Sequence, residues 1–178
     1  MANKVSFSGD ELSLARIDEH HRDMESSLRY YFSDAFPDYV TRFLGYTPAE
    51  VIQELDERLA EGELAVSLTL LASVEAAFRI DFLRRCYRKD RADISRHFRE
   101  INRRRPSRIK LDDDIFESWA NHINTLRSIT TRLKAAFKYR HWLAHGRYWS
   151  PKFGRQFDYL YLYQLAQEVV QNFPFLGS

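Results

Sequence analysis

Apolar residues recur along this chain at intervals of three and four positions, the spacing that places side chains on one face of an α-helix. The six glycines and five prolines mostly fall between these apolar patterns. The pattern therefore predicts an all-α fold, an antiparallel bundle of about four core helices with additional short N-terminal and connecting helices.

The positions of these helices follow from the apolar stripes and their start and stop signals. Thr47 as a cap, Pro48 in the first turn and Glu50 three residues after the cap predict a helix start. Gly62 predicts the end of that helix and the start of a central core helix. In chain order, the pattern predicts helices at about residues 10–35, 48–60, 63–89 and 91–104, a helix-rich stretch from 112 towards 140, and a last helix at 156–172.

The stripe of the central helix is Leu64, Leu68, Leu71, Ala72, Phe78 and Phe82. The stripe of the stretch before Arg140 is Ile115, Trp119, Ile123, Leu126, Ile129 and Leu133. Before that stretch, Asp112, Asp113 and Asp114 suit the positive end of a helix dipole. After it, a loop around Ser150, Pro151 and Gly154 is expected to lead into the last helix.

Length and composition suit one soluble domain. The 178 residues are 44% hydrophobic and 15% aromatic, enough for a core, so we expect a single domain over residues 1–178. Charges interrupt every apolar run before it reaches the roughly 18 residues that a membrane span needs. Met1–Asp10 is polar and lacks a signal-peptide pattern, which predicts a cytoplasmic location. The single cysteine, Cys86, lies in an apolar-periodic stretch and is expected to be a packed thiol.

Charge is distributed unevenly along the chain. Residues 1–63 contain six Lys or Arg against fourteen Asp or Glu, whereas residues 79–110 contain thirteen against four. Within the second range, seven basic residues occupy positions 96–110. This basic run either contacts phosphates or balances the acidic N-terminal third of a partner subunit, and the sequence leaves both open. The candidate RNA-binding residues are Arg103, Arg104, Arg105 and Arg108.

One short segment carries most of the functional information. Arg140 is followed, after four intervening residues, by His145 and Gly146. This spacing resembles the R-x(4-6)-H motif of the HEPN family. The apolar segment 70–79, which contains Glu75, is similar to the second helix of that family with its acidic residue. At the level of helix order, the resemblance covers most of residues 60–175.

The resemblance implies a metal-independent endoribonuclease that acts as a homodimer, with Arg140 and His145 as the catalytic residues. An unperturbed histidine titrates near neutral pH and can take a proton from a ribose 2′-hydroxyl. An arginine can stabilise the charge that develops on the phosphoryl oxygens, and a cyclic phosphate end results. No cofactor is needed. The supporting residues are Glu75, Arg79, His141, Arg147 and Tyr148.

The family also implies a biological setting. Such enzymes serve as toxins or antiphage defence effectors, and RNA cleavage has to be restrained by an antitoxin or another regulatory protein. For Glu75, an ion pair with Arg79 four positions on is nearly as well supported as a role in orienting Arg140 or His145.

Two other functions remain open. His141 occupies a position where many family members have asparagine, which favours a non-catalytic HEPN-like module that binds RNA, a nucleotide or a protein. Alternatively, the motif is coincidental and the chain is a structural bundle. A metal site is not expected: His141 and His145 have the i, i+4 spacing of ligands, but no glutamate of a metalloprotease motif and no third ligand accompany them.

Overall fold

The longest element of the fold is a 40-residue helix, α3, which runs from Pro48 to Tyr87. The computed structural model describes residues 5–88, 90–106, 108–154 and 156–176, and every regular element within these ranges is helical. The predicted all-α bundle is therefore confirmed. The other helices are α1 (Leu14–Tyr31), α2 (Tyr39–Arg42), α4 (Asp93–Arg104), α5 (Glu117–His122), α6 (Arg127–Ala144) and α7 (Tyr159–Asn172), with a π-helical turn at Leu111–Phe116 and a 3-10 turn at Asn124–Leu126.

Helix α3 begins as the sequence predicts. The Thr47 hydroxyl accepts a hydrogen bond from the Glu50 backbone N–H at 3.3 Å, and the Glu50 carboxylate accepts one from the Thr47 N–H at 2.7 Å. This reciprocal arrangement satisfies backbone donors that the first helical turn leaves without partners. The Glu50 carboxylate accepts hydrogen bonds from both the backbone N–H and the hydroxyl of Thr47, and these two bonds lower its pKa because they stabilise its charged form.

The predicted break at Gly62 is wrong, since α3 continues through this residue. Gly62 faces α1, and a Cβ atom at this position would lie 2.6 Å from Met24 Cε and 2.9 Å from its Sδ. The glycine therefore marks a close approach between two helices and not the end of one. The other predicted end of this helix, Lys89, lies outside the described residues.

The other boundaries differ from prediction by a few residues. Helix α1 is shorter than the predicted range 10–35, because the Ser13 hydroxyl caps its start by accepting from the Arg16 N–H at 3.3 Å. Helix α7 starts later than predicted, because Asp158 caps it by accepting from the Tyr161 N–H at 2.7 Å. The short helix α2 was not predicted.

The main core surrounds α3, which contacts α1, α4, α6 and α7. Leu71, Phe78 and Phe82 of the predicted stripe are buried, whereas Ala72 is exposed. The second predicted stripe is buried except for Ile123, which is only partly buried. Each fully buried large apolar side chain contributes roughly 1.5–3 kcal/mol, so this core stabilises the position of α6 against α3.

We expect side-chain size at position 62 to decide how close α1 and α3 can approach. Gly62→Leu should destabilise the protein by about 1–3 kcal/mol, because the added atoms must displace Met24 and separate the helices. Gly62→Ala should stay within about 1 kcal/mol of the wild type, because the flexible end of Met24 can move and alanine favours helix. Urea unfolding followed by circular dichroism measures both. Equal stability of the two variants would contradict the close approach.

Candidate functional site

The motif segment lies at the C-terminal end of α6. Arg140 and His141 belong to the last turns of the helix, and His145 is its C-cap residue, with its backbone N–H bonded to the His141 carbonyl at 3.1 Å. Gly146 and Arg147 then adopt positive φ angles of 76° and 56°. This turn ends the helix and directs the following loop back towards the site.

Glu75 connects α3 to the motif. Its Oε1 accepts a hydrogen bond from Arg79 Nε at 2.6 Å, and its Oε2 lies 3.0 Å from Arg140 Nη2. Glu75 therefore forms both of the pairings that the sequence left open, one with Arg79 and one with Arg140. Helix α3 contributes the acid and one arginine, and α6 contributes the other arginine. One carboxylate thus fixes the position of Arg140 relative to the long helix.

Arg140 is only partly satisfied by this ion pair. Its Nε atom is buried and has no hydrogen-bond partner within the described residues. The guanidinium carbon also lies 5.9 Å from the centre of the Phe137 ring, one turn earlier on α6. A donor without an acceptor is costly in a protein interior. The Arg140 side chain is nevertheless 32% exposed, so the accessible part of its guanidinium group can donate to the oxygen atoms of an anion.

The two histidines of the motif contact each other. The centres of the His141 and His145 rings are 4.2 Å apart, and both residues are exposed. His141 also lines the cleft that contains Arg140, whereas His145 lies outside the set of residues that line it. The structure therefore places His141 beside Arg140 and places His145 next to His141.

A cleft of about 740 Å³ opens at this point between α3, α6, the start of the π-helical turn and the loop that follows the motif. Its cationic side chains outnumber its carboxylates by five to three. The cations are Arg79, Lys110, Lys138, Arg140 and Lys152, and the acids are Glu75, Asp112 and Asp113. Aromatic side chains, those of Phe137, Trp149 and Phe153, form part of the wall. The cleft combines positive charge with aromatic surface, which suits a phosphorylated ligand with a planar group.

Several of these residues were not identified from the sequence as part of the site. Trp149, Lys138 and Lys152 were not singled out, and Asp112 was assigned only to a helix start. Lys138 lies two positions before Arg140, a spacing that does not place two residues on the same face of a helix, so periodicity gives no signal for it. Trp149 and Lys152 reach the cleft through the fold of a loop, for which the sequence gives no periodic signal.

Asp112 differs electrostatically from an ordinary surface carboxylate. Burial raises its pKa, and nearby Lys134 partly opposes this shift. Glu75 and Asp113 are close enough to raise the pKa further. Asp112 therefore takes up a proton more readily than an exposed aspartate does.

Arg147 and Tyr148 were expected to be secondary RNA contacts. That role stays a prediction; in the structure, Arg147 forms a two-point ion pair with Glu61 of α3, with both N–O distances at 2.9 Å. It is also the one non-glycine residue with positive φ in the described part of the chain. Tyr148 is 82% exposed, and its ring lies 4.7 Å from that of Trp149 in an edge arrangement.

The predicted basic run is largely engaged within the protein. Arg104 is paired with Glu100, and Arg105 lies 3.2 Å from Asp114. Arg103 and Arg108 are exposed and have no ion pair among the described residues. None of the four lines the cleft; Lys110 is the member of the run that does.

The remaining titratable residues offer little chemistry. Burial raises the pKa of the half-buried Cys86 thiol to about 12, in agreement with the predicted packed thiol. His97 and His122 lie close together, with ring centres 5.0 Å apart, and burial lowers the pKa of His97. No group of three His, Cys, Asp or Glu side chains in the described ranges is arranged to hold a metal ion.

A scan against protein-family models finds no match, and searches of curated proteins and of solved structures find no significant similarity. No helix in the described ranges is long and apolar enough to cross a membrane. The all-helical fold and the cleft around Arg140 are therefore the features from which a function has to be inferred.

We expect the two carboxylates that contact the motif segment to differ in their contribution to stability. The Glu75 side chain is 18% exposed and that of Glu61 is 62% exposed. Glu75→Gln should lower the free energy of unfolding by about 1–2 kcal/mol, because the partly buried Arg140 and the more exposed Arg79 both lose their counter-ion. Glu61→Gln should cost less than about 1 kcal/mol, because water screens its pair. Urea unfolding measures both, and equal losses would argue against a buried anchor at Glu75.

We expect Cys86 to react slowly in the folded protein, because only the thiolate is nucleophilic. Alkylation by iodoacetamide at pH 8 should be at least about tenfold slower in buffer than in denaturing urea. Mass spectrometry measures the reaction, and Cys86→Ser protein serves as the unlabelled control. Equal rates in buffer and urea would show an accessible, ordinary thiol.

Proposed function

We propose that this chain is a metal-independent endoribonuclease of the HEPN type. The observation that carries the proposal is the position of Arg140 in a cationic cleft, held there by Glu75 and lying next to the paired imidazoles of the motif. The Arg140 side chain is partly exposed and lines the cleft, so its guanidinium group suits the binding of a phosphate. The neighbouring imidazoles are side chains that can transfer protons in general acid–base catalysis.

The proposed reaction needs only groups that these residues supply. One imidazole takes the proton of a ribose 2′-hydroxyl, and that oxygen attacks the adjacent phosphorus. The bond from phosphorus to the 5′ oxygen breaks, and this oxygen receives a proton from a protonated imidazole of the motif. The products are a 2′,3′-cyclic phosphate and a 5′-hydroxyl end. Arg140 stabilises the negative charge that develops on the phosphoryl oxygens.

Within this proposal, His145 is the acid or base and His141 assists it. The centres of the two rings lie 4.2 Å apart, so both imidazoles can serve the same reacting group. Arg79 shares the Glu75 carboxylate with Arg140, so it limits how strongly Glu75 neutralises the phosphate-binding arginine.

The biological part of the proposal follows from the activity. We propose a cytoplasmic homodimer that serves as a toxin or antiphage defence effector. A regulatory protein, such as an antitoxin, would restrain it, since uncontrolled cleavage of RNA harms the cell that makes the enzyme.

One observation favours a second candidate, a module that binds RNA, a nucleotide or a protein without cleaving RNA. Arg140 is already paired with a carboxylate, so a phosphate has to compete with Glu75 for the guanidinium group. His141 also replaces the asparagine that many HEPN nucleases carry. Salt-sensitive RNA binding without cleavage is the result that this candidate predicts.

We expect purified protein to cleave labelled RNA in excess chelator and to leave cyclic phosphate ends. Arg140→Ala and His145→Ala should each reduce the rate by about 100-fold or more, because each removes a group that acts in the transition state. Gel electrophoresis of cleaved total RNA and tRNA measures the rate. Arg16→Ala and His20→Ala, which change exposed residues of α1, serve as matched controls.

Two results would reject the nuclease. One is intact RNA after incubation with folded wild-type protein across several RNAs. The other is full activity of folded His145→Ala protein. Circular dichroism establishes that each variant is folded before its activity is compared.

A further inference from the structure

The loop that follows the motif brings an aromatic wall to the cleft. We propose that Trp149 is a stacking platform for the base of an unpaired nucleotide whose phosphate lies against Arg140. The cleft would then select unpaired RNA over duplex RNA. This inference rests on the RNA-directed function proposed above and adds a residue that determines which RNA is accepted.

The loop holds Trp149 in a defined place. The indole N–H of Trp142 donates a hydrogen bond to the Trp149 carbonyl at 2.8 Å, which ties the loop back to α6. The Trp149 ring lies 6.0 Å from the His141 ring and 4.7 Å from the Tyr148 ring. The side chain is only partly buried, and it lines the cleft together with Arg140 and His141. An aromatic ring held in this way loses little conformational freedom when a base stacks on it.

The other two tryptophans have structural positions. Trp119 is fully buried in the main core, against Phe98 and Phe173. Trp142 packs against Tyr139 with ring centres 5.8 Å apart. Trp149 is thus the tryptophan whose ring contributes to the wall of the cleft.

The charge around Trp149 suits the backbone of a nucleic acid. Lys138 and Lys152 are exposed, line the same cleft and form no ion pair among the described residues. With Arg140 they provide three cations beside an aromatic ring. Stacking on an aromatic residue combined with cationic contacts to the backbone is how proteins bind single-stranded nucleic acid.

Duplex RNA cannot use this platform. Bases in a helix are already stacked on their neighbours, so their faces are not available to an indole ring. A cleft of about 740 Å³ has the size of a small-ligand site, which fits one or two unpaired nucleotides. A base and a phosphate could also come from a free nucleotide, so the test has to separate a polymer from a mononucleotide.

The test measures binding of a fluorescent 2′-fluoro oligonucleotide to the full chain by anisotropy. This ligand lacks the attacking hydroxyl, so wild-type protein can be used without cleavage. Trp149→Ala should weaken binding by about tenfold or more, and Trp149→Phe should retain most of it, because phenylalanine still stacks. Tyr30→Ala, which removes an exposed aromatic ring of α1 outside the cleft, is the matched control and should change binding much less.

The same strand annealed to its complement should bind at least about tenfold more weakly than the single strand. Unlabelled AMP should compete only at concentrations far above the dissociation constant of the oligonucleotide, because it lacks further phosphates for the two lysines. Unchanged binding by folded Trp149→Ala protein would overturn the platform. Equal binding of duplex and single strand would overturn the selectivity, and AMP competing as strongly as the oligonucleotide would overturn the polymer ligand.

These outcomes are separable from those of the nuclease test. Binding that depends on Trp149 in a protein that cleaves no RNA would support the platform and reject the nuclease. Cleavage of RNA that is unaffected by Trp149→Ala would support the nuclease and reject the platform. Thermal unfolding of each variant checks that a loss of binding does not reflect a loss of fold.

Discussion

The arrangement of this protein depends on a carboxylate placed inside its longest helix. Glu75 lies on the part of α3 that packs into the core, where a lone negative charge would be costly. Arg79 compensates it from the same helix, and Arg140 compensates it from α6. The second pairing couples two helices that hydrophobic packing alone would hold less specifically. It is also what brings an arginine to the wall of the cleft.

The distribution of charge looks different in the folded protein than along the chain. Several members of the basic stretch are neutralised by nearby acids. Within the basic run at positions 96–110, for example, Arg96 is paired with Asp93 and Arg104 with Glu100. The positive potential of the run is therefore smaller than its composition indicates. The cleft is therefore better suited than the basic run to attract an anion, because Lys138 and Lys152 border it without such partners among the described residues.

Much of the fold could be predicted from local signals, because helix caps and apolar stripes act over a few residues. The start of α3 at Thr47 and the burial of Phe78 illustrate this. Gly62 could not be interpreted in the same way, since its role is set by Met24, a residue of another helix. The residues of the candidate site also differ in whether local sequence signals identify them. Glu75 was singled out within an apolar helix, whereas Trp149 reaches the cleft through a loop whose course depends on tertiary contacts.

Helix α3 holds the motif segment at two points, through Glu75 to Arg140 and through Glu61 to Arg147. Glu75 lies fourteen positions after Glu61, about four helical turns, so both lie on nearly the same side of the helix. One inserted residue between them would rotate one acid by about 100° relative to the other. The motif could then keep one anchor or the other, but not both. The site therefore depends on the number of residues between Glu61 and Glu75 as well as on the two side chains, because the length of α3 between them sets both ion pairs at once.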